Sequence, residues 1–232
     1  VDGLILPPTI PFVKTVFLVL TKKLVGGSVR RPALEEEPMS RIACGVVAGP
    51  LYLVAGYAQA FTREGFDLSR HPFSMLSLGS FGWIQIANFV VSGVLFVIAA
   101  TGMTRFSRWG ARLIGLMGVG MILGGVFTAD PALGFPLGTP DTVPGSISWH
   151  GTLHAVAFGL AMIGWIGACF VFARRLGGWL AVMSGLTGVL LMVPMAFLGN
   201  PGGTVLLYAV ATVGWIWTSL VSLRLSRPAF SN

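Results

Sequence analysis

Six apolar runs divide the chain, at about residues 42–61, 81–103, 112–129, 151–173, 179–198 and 204–223. Most approach the roughly 20 residues that an α-helix needs to cross about 30 Å of hydrocarbon. None shows the ten-residue alternation of a membrane β-barrel strand. Helices are then the remaining way across, because a lipid-exposed backbone must satisfy its own hydrogen bonds. Composition agrees. Only 10% of the residues are charged and 54% are hydrophobic, whereas a soluble domain carries about 25% charged residues. The reading is an all-α integral membrane bundle of six transmembrane helices in the cell membrane. It occupies residues 39–226, after a segment 1–38 of different character and before a short tail, 227–232.

The net charge of +7 does not mark a nucleic-acid surface, because the basic residues fall in short clusters between the apolar runs. Arg30, Arg31 and Arg41 precede the first run. Arg105, Arg108 and Arg112 separate the second from the third, Arg174 and Arg175 the fourth from the fifth, and Arg224 and Arg227 follow the sixth. The alternate connections hold only Arg63 and Arg70, near Glu64 and Asp67. The positive-inside bias puts both termini in the cytoplasm and turns loops 62–80, 130–150 and 199–203 outward. Segment 1–38 holds every lysine of the chain. It reads as an extension in which Ile10, Val13, Phe17, Leu20 and Leu24 share one side of an interfacial amphipathic helix, or as residues foreign to the native chain ahead of an alternative start at Met39.

Packing signals are local. Gly45 with Gly49, and Gly120 with Gly124, are small-xxx-small pairs that let helix backbones touch. They read first as packing within the bundle and second as a homo-oligomer contact. Trp83, Trp109, Trp149 and Trp179 sit at run ends, where indoles anchor at the headgroup level. Cys44 and Cys169 lie within apolar runs and read as small buried residues.

No charge lies at the centre of any run, which argues against an ion-coupled pump. Polar groups gather instead toward the expected outer side: Gln85 and Asn88 in the second run, Asp130 after the third, His150 and His154 at the start of the fourth, and His71 and Ser74 in the first outer loop. A spacing of four puts His150 and His154 on one helix face, about 5–6 Å apart at Cβ. Such a pair suits two ligands of zinc, with His71 or Asp130 as a third, or two donors to an anionic or polar ligand. The plain alternative is a pair of interfacial histidines bonded to loop carbonyls. Asp130-Pro131 reads as a turn former or as a carboxylate that orients a histidine. Gln85 and Asn88 read as interhelical glue or as ligand contacts. The stretch 129–151 is rich in proline and glycine, so it excludes a regular helix or strand and is long enough to act as a lid.

In "HPFSMLSLGSFGWIQIANF" (71–89), "GGVFTADPALGFPLGTP" (124–140) and "SWHGTLHAVAF" (148–158) the chain resembles the membrane family known as domain of unknown function 998, over about residues 42–223. The resemblance implies a six-helix membrane protein and no assigned activity, and it points to His71, Ser74, Asp130, His150 and His154. The His, Asp and Ser set is similar, in chemistry alone, to that of zinc-dependent membrane hydrolases such as alkaline ceramidases. Three functions follow as expectations. The first is a polar pocket at the outer face, lined by His71, Ser74, Gln85, Asn88, Asp130, His150 and His154, that takes a lipid head group or small polar ligand. The second is a lipid hydrolase, with zinc on His71, His150 and His154 and with Asp130 as base. The third is a passive facilitator for a small solute.

Overall fold

The structure is a computed structural model and describes residues 36–197 and 202–227. The expected interfacial helix of segment 1–38 lies outside those residues, as do residues 199–201 of the expected outer loop 199–203. Among the described residues six α-helices follow in order: α1 Glu36–Thr62, α2 Gly82–Met103, α3 Arg108–Val126, α4 Trp149–Arg175, α5 Gly178–Met192 and α6 Gly203–Ser226. A 3-10 turn, Val193–Phe197, extends α5. With it, all six elements are long and apolar enough to cross a membrane. The chain is a multi-pass membrane protein.

The helices match the apolar runs, with differences at the ends that have local causes. α3 starts at Arg108, ahead of its apolar run, because the Ser107 hydroxyl accepts the Gly110 N–H at 3.0 Å and caps the first turn. Ser148 does the same for α4 through Gly151. A serine cap satisfies a backbone donor that the helix itself leaves open. Hydrophobicity does not register the polar first turn that such a cap begins.

Each helix packs against its neighbours in sequence, and α6 returns to α1, so the six form a closed ring. Glycine makes the closure possible. A Cβ on Gly49 would stand 3.0 Å from the Trp215 carbonyl oxygen, and one on Gly45 would strike the Ser222 hydroxyl. On the other side of the ring, a Cβ on Gly120 would lie 2.6 Å from the Ala161 nitrogen. These glycines bring α1 onto α6 and α3 onto α4, as small residues do where helices must touch. Gly124 differs, because it leaves room for the His154 ring, whose Cε1 would lie 3.9 Å from an added Cβ.

The ring has an aromatic middle. Trp215 lies 4.3 Å from Trp165, 4.8 Å from Tyr52 and 5.6 Å from Phe96, centroid to centroid. Two of the buried indole N–H groups are satisfied by hydroxyls: Trp165 donates to Thr218 and Trp217 to Ser184. Segments 63–81 and 127–148 form a crown at one end of the ring, opposite the arginine-rich connections. In it Arg63 donates to the Leu76 and Leu78 carbonyls and lies 5.3 Å from the Phe135 ring centroid. Arg70 pairs with Asp141 and ties the two segments together. The second segment is irregular, with Leu133 at φ 54° and one isolated bridge between Ala132 and Phe135.

Candidate functional site

The residues singled out from the sequence occupy four distinct environments. His71 is 2% exposed, between Phe66 and Phe135. Its Nδ1 accepts the Asp67 backbone N–H at 2.9 Å. Nε2 therefore carries the proton and donates to the Leu133 carbonyl, also at 2.9 Å. Both ring nitrogens are committed to backbone groups, and the imidazole joins the two crown segments.

Asp130 serves the start of α4. Its carboxylate accepts the Ser148 N–H at 2.8 Å and the Ser148 hydroxyl at 2.5 Å. That hydroxyl in turn accepts from Gly151. The Ser148 hydroxyl and N–H, with smaller help from nearby His150 and His154, hold the Asp130 carboxyl below the usual carboxylate range. Negative charge at a helix N-terminus is favourable in itself. Asp130 also edges an open concavity in the crown lined by Thr139, Thr142 and Ser146.

Gln85 and Asn88 are buried between α2 and α1. The Gln85 carbonyl oxygen accepts from Gln59 at 2.8 Å and from Asn88 at 3.2 Å, and Asn88 also donates to the Tyr52 carbonyl. Interhelical amide bonds of this kind join membrane helices. The Gln85 Nε2 and the Gln59 Oε1 are left without a protein partner.

His150 and His154 both face the end of α3, as their spacing predicts, but they differ in depth. His150 is exposed and leans against Trp149, with ring centroids 3.5 Å apart and the planes tilted by 38°. His154 lies one turn deeper. Its Nδ1 stands 2.7 Å from the Phe127 carbonyl and 3.2 Å from that of Gly124, so Nδ1 carries the proton and caps the last carbonyls of α3. In the neutral ring Nε2 is then an acceptor, and it makes no hydrogen bond among the described residues.

His154 lines a cavity of about 130 Å³ inside the ring. α1, α2, α3, α4 and α6 contribute to it, and no described residue of α5 does. Tyr52 and Phe89 form one wall, Met117 and Met121 another, and Trp165 and Trp215 the floor. The crown supplies a roof of Pro72, Phe73 and Ser74. Phe73 packs between Tyr57 and Tyr208, 4.9 and 4.6 Å away. Most polar atoms on the wall are used internally. Thr212 donates to the Tyr208 carbonyl, so Tyr57 donates to Thr212. The Tyr208 hydroxyl donates to the His71 carbonyl at 2.5 Å. The His154 Nε2, the Ser74 hydroxyl and the Trp215 N–H make no hydrogen bond among the described residues, in a chamber lined mainly by ring faces and alkyl groups.

Of the predicted site residues, the cavity gathers Ser74 and His154. His71 lies behind its roof, Gln85 and Asn88 behind Tyr52, and Asp130 and His150 above it in the crown. No three His, Cys, Asp or Glu side chains among the described residues converge as a metal ligand set. Sequence reasoning did not pick out the aromatic lining. A signal for it existed: all three tyrosines of the chain line the cavity, and Trp165 and Trp215 sit at mid-helix, away from the interfacial positions where membrane indoles usually lie.

The family described as protein of unknown function (DUF998) matches residues 46–224. No curated protein and no solved structure matches the chain.

Proposed function

The chain belongs to the DUF998 family, and on that footing we propose that it is a binding protein of the cell membrane whose ligand occupies the aromatic cavity and hydrogen-bonds to His154. The arginine bias supports an orientation with the crown outward and both termini in the cytoplasm. One observation carries the reading. A chamber within the ring is lined almost wholly by aromatic and aliphatic side chains, and on it lies one imidazole whose tautomer is fixed by backbone carbonyls and whose Nε2 is free to accept. Ligand sites have this character, with apolar walls and few convergent polar groups that set orientation.

Size narrows the ligand. An apolar cavity of about 150 Å³ holds a benzene-sized guest, so this one takes a ring or a short alkyl portion. The complementary group is a hydrogen-bond donor, such as a hydroxyl, amide or ammonium, directed at the His154 Nε2. Ser74 in the roof offers a second contact. This moves the expected polar pocket inward, from the crown to the membrane-embedded part of the ring.

Native mass spectrometry of protein taken into nanodiscs with its own lipids tests the proposal. Wild type should retain a small molecule. Gly124→Leu, which fills the space beside His154, should release it. A wild-type protein with no retained molecule, or a molecule retained equally by Gly124→Leu, contradicts the reading.

A further inference from the structure

Among the described residues, the wall of the cavity is incomplete on one side. α5 packs against the arginine-end half of α4, where a Cβ on Gly188 would stand 3.0 Å from that of Cys169. Farther toward the crown, the 3-10 turn that extends α5 packs on α6 instead. The stripe of α4 that meets α5 at Phe170 continues by helical periodicity through Ile163, Gly159 and Val156. There it is uncovered: Ile163 is 62% exposed, Val156 is 52% exposed, and a Cβ on Gly159 would meet nothing within 4 Å. The cavity's own lining on the two flanking helices, Phe158 on α4 and Leu207 and Ala211 on α6, is only half buried. The crown closes the opposite approach, because Phe73 is wedged between tyrosines and the Tyr208 hydroxyl is held by the His71 carbonyl.

We propose that the cavity opens sideways into the hydrocarbon layer, through a slot between α4 and α6 on the crown side of the point where α5 leaves α4, and that its ligand is a membrane-dissolved amphiphile. This rests on the binding reading above and adds the route and the ligand class. The alkyl or ring portion enters from the bilayer core without crossing the polar crown. Its single donor group then meets His154, one turn below the start of α4. A water-borne solute would have to displace the packed roof.

Two photoreactive probes test the route in phosphatidylcholine vesicles containing the full chain. One is a long-chain alcohol with a mid-chain diazirine, dissolved in the bilayer; the other is a short, water-soluble diazirine alcohol added from outside. Adducts are mapped by mass spectrometry on the cavity-lining rings of Trp165, which is buried, and Tyr208, which is half-buried, with exposed Val189 and Ile216 as references. The long-chain probe should label the cavity rings in wild type. Leu207→Trp, which fills the slot, should abolish that labelling and leave the reference adducts unchanged. Gly159→Phe, at a position with open space, should weaken it in the same sense, and serves if Leu207→Trp does not fold. Cavity labelling by the water-soluble probe alone, undiminished by either variant, overturns the lateral route and leaves the binding reading standing. A wild-type cavity labelled by neither probe overturns both.

Discussion

His71 and His154 lie toward the same end of the molecule, and both touch backbone carbonyls, yet their surroundings oppose each other. In the crown, His71 spends both ring nitrogens on the backbone of two irregular segments. In the ring, His154 spends one nitrogen on the end of α3 and leaves the other unbonded among the described residues, on a ring that lines the cavity. The crown is rich in polar side chains, and Arg63, Arg70, His71 and Asp130 hold its segments together. The cavity is poor in them, and there the few uncommitted groups have chemical weight. Polar density along a sequence therefore marks where irregular backbone needs partners at least as often as it marks a site. Unpaired backbone groups buried from water are costly, and loops between membrane helices have many to satisfy.

The contrast predicts unequal responses to substitution. The largest effect should come from His71→Ala, which leaves the Asp67 N–H and the Leu133 carbonyl without partners beneath Phe66 and Phe135. The cost should be about 3 kcal/mol, from two lost buried hydrogen bonds and the void. Thermal unfolding in detergent would measure it, and a wild-type midpoint would remove His71 from its structural role. His154→Phe should act on binding more than on folding. Ligand retention should fall about tenfold, the worth of one hydrogen bond of about 1.4 kcal/mol, with a smaller loss of stability from the uncapped α3 carbonyls. Equal retention would break the comparison at its central residue.

Asp130→Asn should cost about 1 kcal/mol through the weakened start of α4. It should also change the acid limb of stability. The native carboxyl titrates below the ordinary value of 3.8, so the unfolded chain takes up its proton first as pH falls. The stabilisation is complete above the ordinary value. It declines as pH drops through that value, and it is lost once pH passes below the native one. Unfolding midpoints from pH 6 to pH 3 (a range of about three units around the carboxylate value) should fall less steeply in the variant than in wild type. Parallel curves would exclude this role. His150→Ala should be smallest, within about 0.5 kcal/mol, because the side chain is exposed and rests on Trp149. A large loss there would mean that the crown depends on it as it depends on His71.

The architecture was legible because membrane insertion imposes a simple rule on sequence: about 20 apolar residues per crossing, separated here by arginine clusters. The glycine pairs were legible as contacts but not as ring closure, since small-xxx-small spacing does not name its partner. Gly45 meets Ser222, far along the chain. The face shared by His150 and His154 followed from helical periodicity. So did their one-turn difference in depth, but their different partners did not, because those depend on where the end of α3 sits: His154 meets the Phe127 and Gly124 carbonyls and His150 meets Trp149. The cavity was the least legible feature. Its walls are Tyr52, Phe89, Met121 and Trp215, residue types that also fill ordinary packed cores, and what separates cavity from core is the divergence of α5, α4 and α6 in space. Trp165 and Trp215 were the available clue, being at mid-helix, where there is no interface to anchor.

The density map of the full chain in a lipid nanodisc would show directly whether the cavity is filled from the bilayer. Non-protein density is expected between Phe158 and Trp215, continuous with the bilayer between α4 and α6 and within hydrogen-bond distance of the His154 Nε2. An empty cavity with ordered density bound instead beside Asp130 in the crown would contradict it.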